Sequence, residues 1–279
     1  MRIIYDNAID RATLTASSTA GVLAAPRMQN DEKAEVWRST GTSATITATW
    51  PTAERIGGLG FAFANLSSSS TCRVRIYELP ADTTPVFDQT FYLVPGPTLG
   101  SFTWGVTPLG QNSFIPGGGT SFDVRPTGAM WVDPLPYARR MVLDVVDTYN
   151  VNGYLEVGKM FAGHYWQPEE TADRGVPLSV PELTTQSRSD SGSLRRDRGP
   201  QYRKFSVSLS WLSPVDRERL FQIAYANGLA RSLFVSLYPE NTDKVLEQAH
   251  QLWGCLVASP QMSAPNYLRY AASLDFEEI

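Results

Sequence analysis

Polar and apolar residues alternate one by one through Lys204-Phe205-Ser206-Val207-Ser208-Leu209-Ser210-Trp211. Phe205, Val207, Leu209 and Trp211 share one face, with a lysine and three serines on the other, and a period of two is that of a half-buried strand. Leu212-Ser213-Pro214 ends it. Ser213 suits a helix cap, Pro214 its first turn, and Asp216 stands where unpaired backbone N–H groups point. Val215, Leu220, Ile223 and Ala224 then recur at helical spacing up to Asn227-Gly228, where glycine can take the left-handed stop. A strand over 232–237, a short helix over 241–250, and strands over 253–257 and 267–277 follow. Residues 166–279 are therefore expected to form an α+β domain.

The first 165 residues carry a different pattern. Alternation predicts strands over 44–50, closed by Pro51, and over 71–78, with Cys72, Val74 and Ile76 inward and Arg73, Arg75 and Tyr77 outward. The glycine-spaced apolar run 55–66 reads as a strand inside a sheet, and further strands are expected over 121–132, 139–147 and 154–163. Residues 79–119 are rich in proline and glycine and read as loops; residues 1–30 are small and polar and read as an extended start of low local order. At least six short strands without a helix predict a β-sandwich for 1–165, and a mainly β chain overall.

Composition narrows the classes. The chain has 279 residues, 42% hydrophobic and 19% charged, with a net charge of -4, which suits two globular domains and argues against nucleic acid as the main partner. The two cysteines, Cys72 and Cys255, have no metal-ligand spacing and read as small buried apolar groups in a reducing cytosol. Met1 to Asp6 is too short an apolar run for a secretory signal, and no stretch approaches the length of a membrane span. Synthesis in the cytosol, no membrane insertion and no cofactor or metal are expected.

Several stretches together resemble known families. Trp37-Arg38-Ser39, Ile56-Gly57-Gly58-Leu59 before Asn65-Leu66, Cys72-Arg73-Val74-Arg75-Ile76-Tyr77 and the run 155–163 resemble galactose-binding-like jelly-roll domains. The arginine-rich approach to Trp211, the helix after Leu212-Ser213-Pro214, Leu237-Tyr238-Pro239, Leu252-Trp253-Gly254 and the acidic strand 273–278 resemble distal-tail and baseplate proteins of long-tailed phages. The resemblance implies a jelly-roll sandwich over 1–165 and a split-barrel-like, distal-tail-type α+β domain over 166–279. It implies a virion protein of the tail tip, assembled in the host cytoplasm: a homo-oligomeric ring beneath the tail tube, holding the hub and the fibre or receptor-binding proteins. The usual order of the two domains is reversed here, which leaves the construction of such a ring open.

Chemistry is sparse. Only His164 and His250 are present, neither beside a nucleophile motif, and there is no phosphate loop or paired metal-ligand motif, so no catalytic residue is assigned. Trp104, Phe114, Trp131 and Tyr137 flank turn-rich segments and are candidates for stacking on sugar; they could equally fill the core or an intersubunit contact. Arg188, Arg195, Arg196, Arg198, Arg203 and Lys204 gather positive charge at the entry to the second domain, either as a docking rim for an acidic tube end or as a solvated loop. The expected function is a non-enzymatic structural part of the tail tip. The alternative is an adhesin that engages host surface glycans, and a third class is an accessory module of a secreted hydrolase.

Overall fold

The computed structural model describes residues 1–94, 127–241 and 244–279. Two compact units emerge: Arg2–Trp166 with Phe234–Gln251, and Gln167–Leu233 with Leu252–Ile279. The segment Phe234–Gln251, which the sequence reading places in the second domain, thus packs with the first.

In chain order the first unit contains β1 (Arg2–Ile4), β2 (Thr13–Ala16), β3 (Trp37–Arg38), β4 (Ser43–Arg55), β5 (Gly58–Ala64), β6 (Thr71–Tyr77), β7 (Phe87–Tyr92), β8 (Gly128–Trp131), β9 (Tyr137–Val146), β10 (Glu156–Gly163) and β11 (Tyr165–Trp166). One sheet runs β2-β4-β9-β6-β7 and another β3-β10-β5-β8, with antiparallel pairing throughout. Most connections change sheet. One core joins Ile46, Trp50, Val74, Ile76, Met141 and Leu143 of the first sheet to Trp37, Leu59, Phe61, Met130 and Val157 of the second. This is a jelly-roll β-sandwich, with the apolar face of each sheet buried against the other.

The alternation holds at Cys72, Val74 and Ile76, all buried, but two details differ from expectation. Tyr77 is buried rather than outward, with the Arg140 guanidinium 4.0 Å above its ring. Pro51 does not end its strand: β4 continues to Arg55, and the proline falls where the register against β9 shifts, between Thr49 and Glu54. An irregularity tolerates a residue with no N–H to donate. Every residue of β5 is buried, as expected of a strand between two neighbours. Gly60 faces Ala129 across one ladder and Phe161 across the other, and a Cβ there would collide with the Gly128 carbonyl and the Phe161 ring.

Residues 1–30 are also better ordered than their composition suggests. They form β1, β2 and two short 3-10 helices, Ala8–Arg11 and Ala25–Gln29, and bury Ile3, Ile4, Ile9, Leu14 and Met28. β1 lies between β11 and a later strand, Leu233–Ser236.

The rest of the chain adds β12 (Leu178–Ser179), β13 (Thr185–Arg188), β14 (Leu194–Asp197), β15 (Lys204–Leu212), α1 (Pro214–Asn227), β16 (Leu233–Ser236), α2 (Lys244–Ala249), β17 (Gln251–Leu256), β18 (Gln261–Asn266) and β19 (Arg269–Glu278). In the second unit β19 pairs with β15, β17 and β18, and β12 borders β15. The helix begins and ends where expected: Ser213 Oγ accepts from Asp216 N, and Gly228 follows at φ 57°. In β15, Phe205, Val207 and Leu209 are buried, but Trp211 is 56% exposed and Leu212 takes the inward place. A register shift against β19 between Leu209 and Leu212 flips the alternation there. Among the described residues β13 and β14 pair only with each other, and every residue of the two strands is exposed.

Gly60→Ala is expected to destabilise the sandwich by about 3 kcal/mol, as overpacking between two backbones does. Chemical denaturation checks this against Gly41→Ala, where a Cβ meets nothing.

Candidate functional site

The N-terminal segment is tied down by a buried cation. Lys159, on β10, is 1% exposed. Its ammonium lies 3.1 Å from Asp10 Oδ1 and 2.9 Å from Asp31 Oδ1 and donates to Gln29 O at 2.7 Å. An ammonium taken out of water needs such partners. Burial pushes the Asp10 carboxyl up, against the pull of Lys159. Asn7 caps the first 3-10 turn, accepts from Ala162 N at 3.0 Å and donates to Asp10 Oδ1 at 2.8 Å. Gln29 donates to Ile9 O and Ala12 O, and Trp50 Nε1 to Ala8 O.

This turn ends at Arg11, which faces away from Lys159's partners into a cleft. Its guanidinium donates through Nη1 and Nη2 to Asp6 at 2.7 and 3.0 Å, and through Nε and Nη2 to Glu54 at 3.0 and 3.1 Å. The two carboxylates, Asp6 first, raise the pKa of Arg11, so it stays charged. The cleft holds about 100 Å³ and is lined by these three residues with Tyr5, Arg55 and His164. Tyr137 stands directly across the ladder from Arg55 and is 58% exposed. Cross-strand partners share a face and lie about 5 Å apart, so Tyr137 stands beside Arg55, one residue of the lining, on the opposite face of the sheet from Glu54.

Of the expected sugar-stacking residues, Tyr137 is thus an exposed ring beside polar groups. Trp131 is committed elsewhere: Tyr165 meets it edge-on at 5.5 Å, Phe234 lies 6.1 Å away, Arg2 sits 4.8 Å over the ring, and its indole N–H donates to Glu247. Trp104 and Phe114 lie outside the described residues.

The basic cluster divides. Arg188, Arg195 and Arg196 lie on the β13–β14 hairpin, where Arg188 donates to Gly192 O, and Arg198 at its base pairs with Glu182 at 3.4 Å. Arg188 and Arg196 share one face and Arg195 the other. Arg203 is built into the second unit by Glu278, and Lys204 stands opposite Glu277 in the sheet. Cys72 is buried, its thiol pushed up by burial and then by Asp144. Among the described residues no group of three or more His, Cys, Asp and Glu is placed to share a metal, and no helix is long and apolar enough to cross a membrane.

Asp6, Arg11 and Glu54 carry no motif; only the fold brings residues 6, 11 and 54 together. Lys159 gives one signal, a lysine among the glycines and apolar residues of a buried strand.

No family model and no curated protein matches the chain. Among solved structures, a carbohydrate-binding module from Clostridium perfringens in complex with GalNAc-β-1,3-galactose is 9% identical at TM-score 0.39, covering 57% of this chain and 100% of the module. A family 32 module from the C. perfringens protein NanJ, in complex with galactose, is 8% identical at 0.38, covering 60% and 100%. A fucose-binding module of Streptococcus pneumoniae is 11% identical at 0.37, covering 58% and 99%. Likenesses at these scores assign neither site nor ligand.

Lys159→Met keeps the stem but leaves Asp10, Asp31 and Gln29 O without their bridge. It is expected to cost about 2 kcal/mol, less than a sealed pair because both carboxylates reach solvent. Hydrogen exchange should quicken across residues 7–31, with the β6–β9 ladder still protected.

Proposed function

We propose that the chain is a non-catalytic attachment protein whose sandwich binds glycan at the cleft lined by Arg11 and Arg55, with Tyr137 as the neighbouring ring. The single observation behind this is a cleft holding a guanidinium between two carboxylates, with the exposed Tyr137 across the ladder from Arg55 of its lining. A sugar presents hydroxyls along its edge and C–H groups on its face. Planar charged groups fixed by their neighbours pair with the first, and an amphipathic aromatic ring covers the second. The cleft is small and open, which fits one sugar edge with the ring left outside. Asp6 and Glu54 both accept from Arg11, an arrangement that orients them without giving either a proton to transfer.

The second reading keeps the tail tip. The basic hairpin bearing Arg188, Arg195 and Arg196 favours it, because a two-stranded arm exposed on all sides is marginal alone. In that reading the second unit is of the distal-tail type and builds a ring against the tube, the hub and the receptor-binding proteins. The sandwich hangs from the ring and meets the host glycan, and the protein resides in the virion.

Calorimetric titration of the full chain with galactose, fucose and GalNAc-β-1,3-galactose, backed by a glycan array, tests the first reading. Binding is expected to weaken at least about tenfold in Tyr137→Ala and in Arg11→Ala, each removing one recognition element. Their melting temperatures should stay near wild type, since Tyr137 is exposed and Arg11 pairs at the surface. No binding to any arrayed glycan at millimolar concentration would sink it. Immunogold labelling of purified particles decides the tail reading by whether label sits at the distal end.

A further inference from the structure

Helix α1 carries large apolar side chains on both sides, with Arg217, Glu218 and Gln222 also among its exposed residues. Leu220 and Ile223 are buried, as the spacing predicts. Yet Val215, Phe221, Tyr225 and Leu229 are 76%, 61%, 85% and 52% exposed. The Phe221 and Tyr225 rings stack at 6.4 Å. A surface helix normally keeps its large apolar side chains inward, and a contiguous exposed apolar patch marks an interaction site. Beside the stacked pair runs a groove of about 460 Å³, lined by Phe221, Ala224, Tyr225, Ser259, Pro260 and Met262.

The same unit offers a shape to fill it. The β18–β19 hairpin turns through Tyr267 and Leu268, 90% and 53% exposed. Leu268 sits at φ 56°, a left-handed conformation that costs a branched side chain about 1–2 kcal/mol and that glycine would relieve. Strained backbone of this kind clusters at functional sites such as ligand clamps and switch regions. Since both the tip and the groove are exposed, the tip does not fill the groove of its own chain. The charges beside them are complementary. Glu218 lies on the same helix face as Phe221 and Tyr225, Arg269 follows the tip, and neither has an ion pair among the described residues.

We propose that the Tyr267–Leu268 tip of one copy seats in the Phe221–Tyr225 groove of a second copy, with Arg269 set against Glu218. Tip and groove are different surfaces, so the contact is head-to-tail, and repetition yields a ring or an open chain of subunits. This association is independent of whether the sandwich binds sugar.

Sedimentation velocity on the full chain tests it. The wild type is expected to self-associate at about 100 µM or below, a range suited to a small contact. Tyr267→Arg and Tyr225→Arg should each weaken association at least about 30-fold, as loss of an aromatic anchor does, while melting like wild type. An equimolar mixture of the two variants should form dimers and nothing larger, because only one intact tip and one intact groove then meet. Glu218→Arg should weaken association, and Arg269→Glu in the same chain should restore it. A wild type that stays monomeric, or a mixture no more associated than either variant alone, overturns the proposal.

Discussion

A lysine ammonium with almost no access to water must be neutralised by the chain around it, and the N-terminal segment is ordered by that requirement. Lys159 sits mid-strand in the sandwich, and its partners are Asp10, Asp31 and the Gln29 carbonyl. None of these belongs to a strand. They hold a polar segment that buries only a few large side chains of its own. Asn7 and Gln29 supply the remaining bonds, satisfying backbone groups that a single 3-10 turn leaves open. The position of Arg11 follows: its neighbour Asp10 is drawn to the buried ammonium, so the guanidinium faces Asp6 and Glu54. The cleft is the outer side of an arrangement fixed from within.

That dependence explains what could be read from the sequence. Alternation located β4, β6 and β15, because a period of two is a local property and each of these strands has one buried face along the alternating run. Helix α1 was legible to its caps, since Ser213, Pro214 and Gly228 act on their own backbone. Failures fell where a non-local term decides. Trp211 and Pro51 both stand at register shifts that their partner strands impose. The first thirty residues looked loose because what orders them lies 149 residues away, at Lys159.

The site was less legible than the fold. Tyr137 was singled out as an aromatic beside a turn, and its ring is exposed. Trp131 was singled out on the same grounds, but its ring is fully engaged with Arg2, Tyr165 and Phe234. Composition does not separate the two, because an aromatic beside a turn can point either way. The charged members of the cleft were not found at all. Six arginines and lysines near residue 200 drew attention by clustering, whereas Arg11 is a single charge whose partners at 6 and 54 meet it only in the folded sheet.

The helix α1 pattern shows how a correct element can still hide its meaning. Val215 fits the inward periodicity of the sequence but is exposed, and the actual inward set is Asp216, Leu220, Ile223 and Asn227. Two of those four are polar. Asp216 accepts from the Glu169 amide and from Ser213, so the buried face relies on hydrogen bonds as well as apolar area. The apolar residues this displaces lie on the other side, where they cost solubility unless something covers them. A stacked Phe221–Tyr225 pair on the exposed side makes little sense for a helix that serves its own unit alone. It makes sense if the outer face is also an inner face once a second surface is in place.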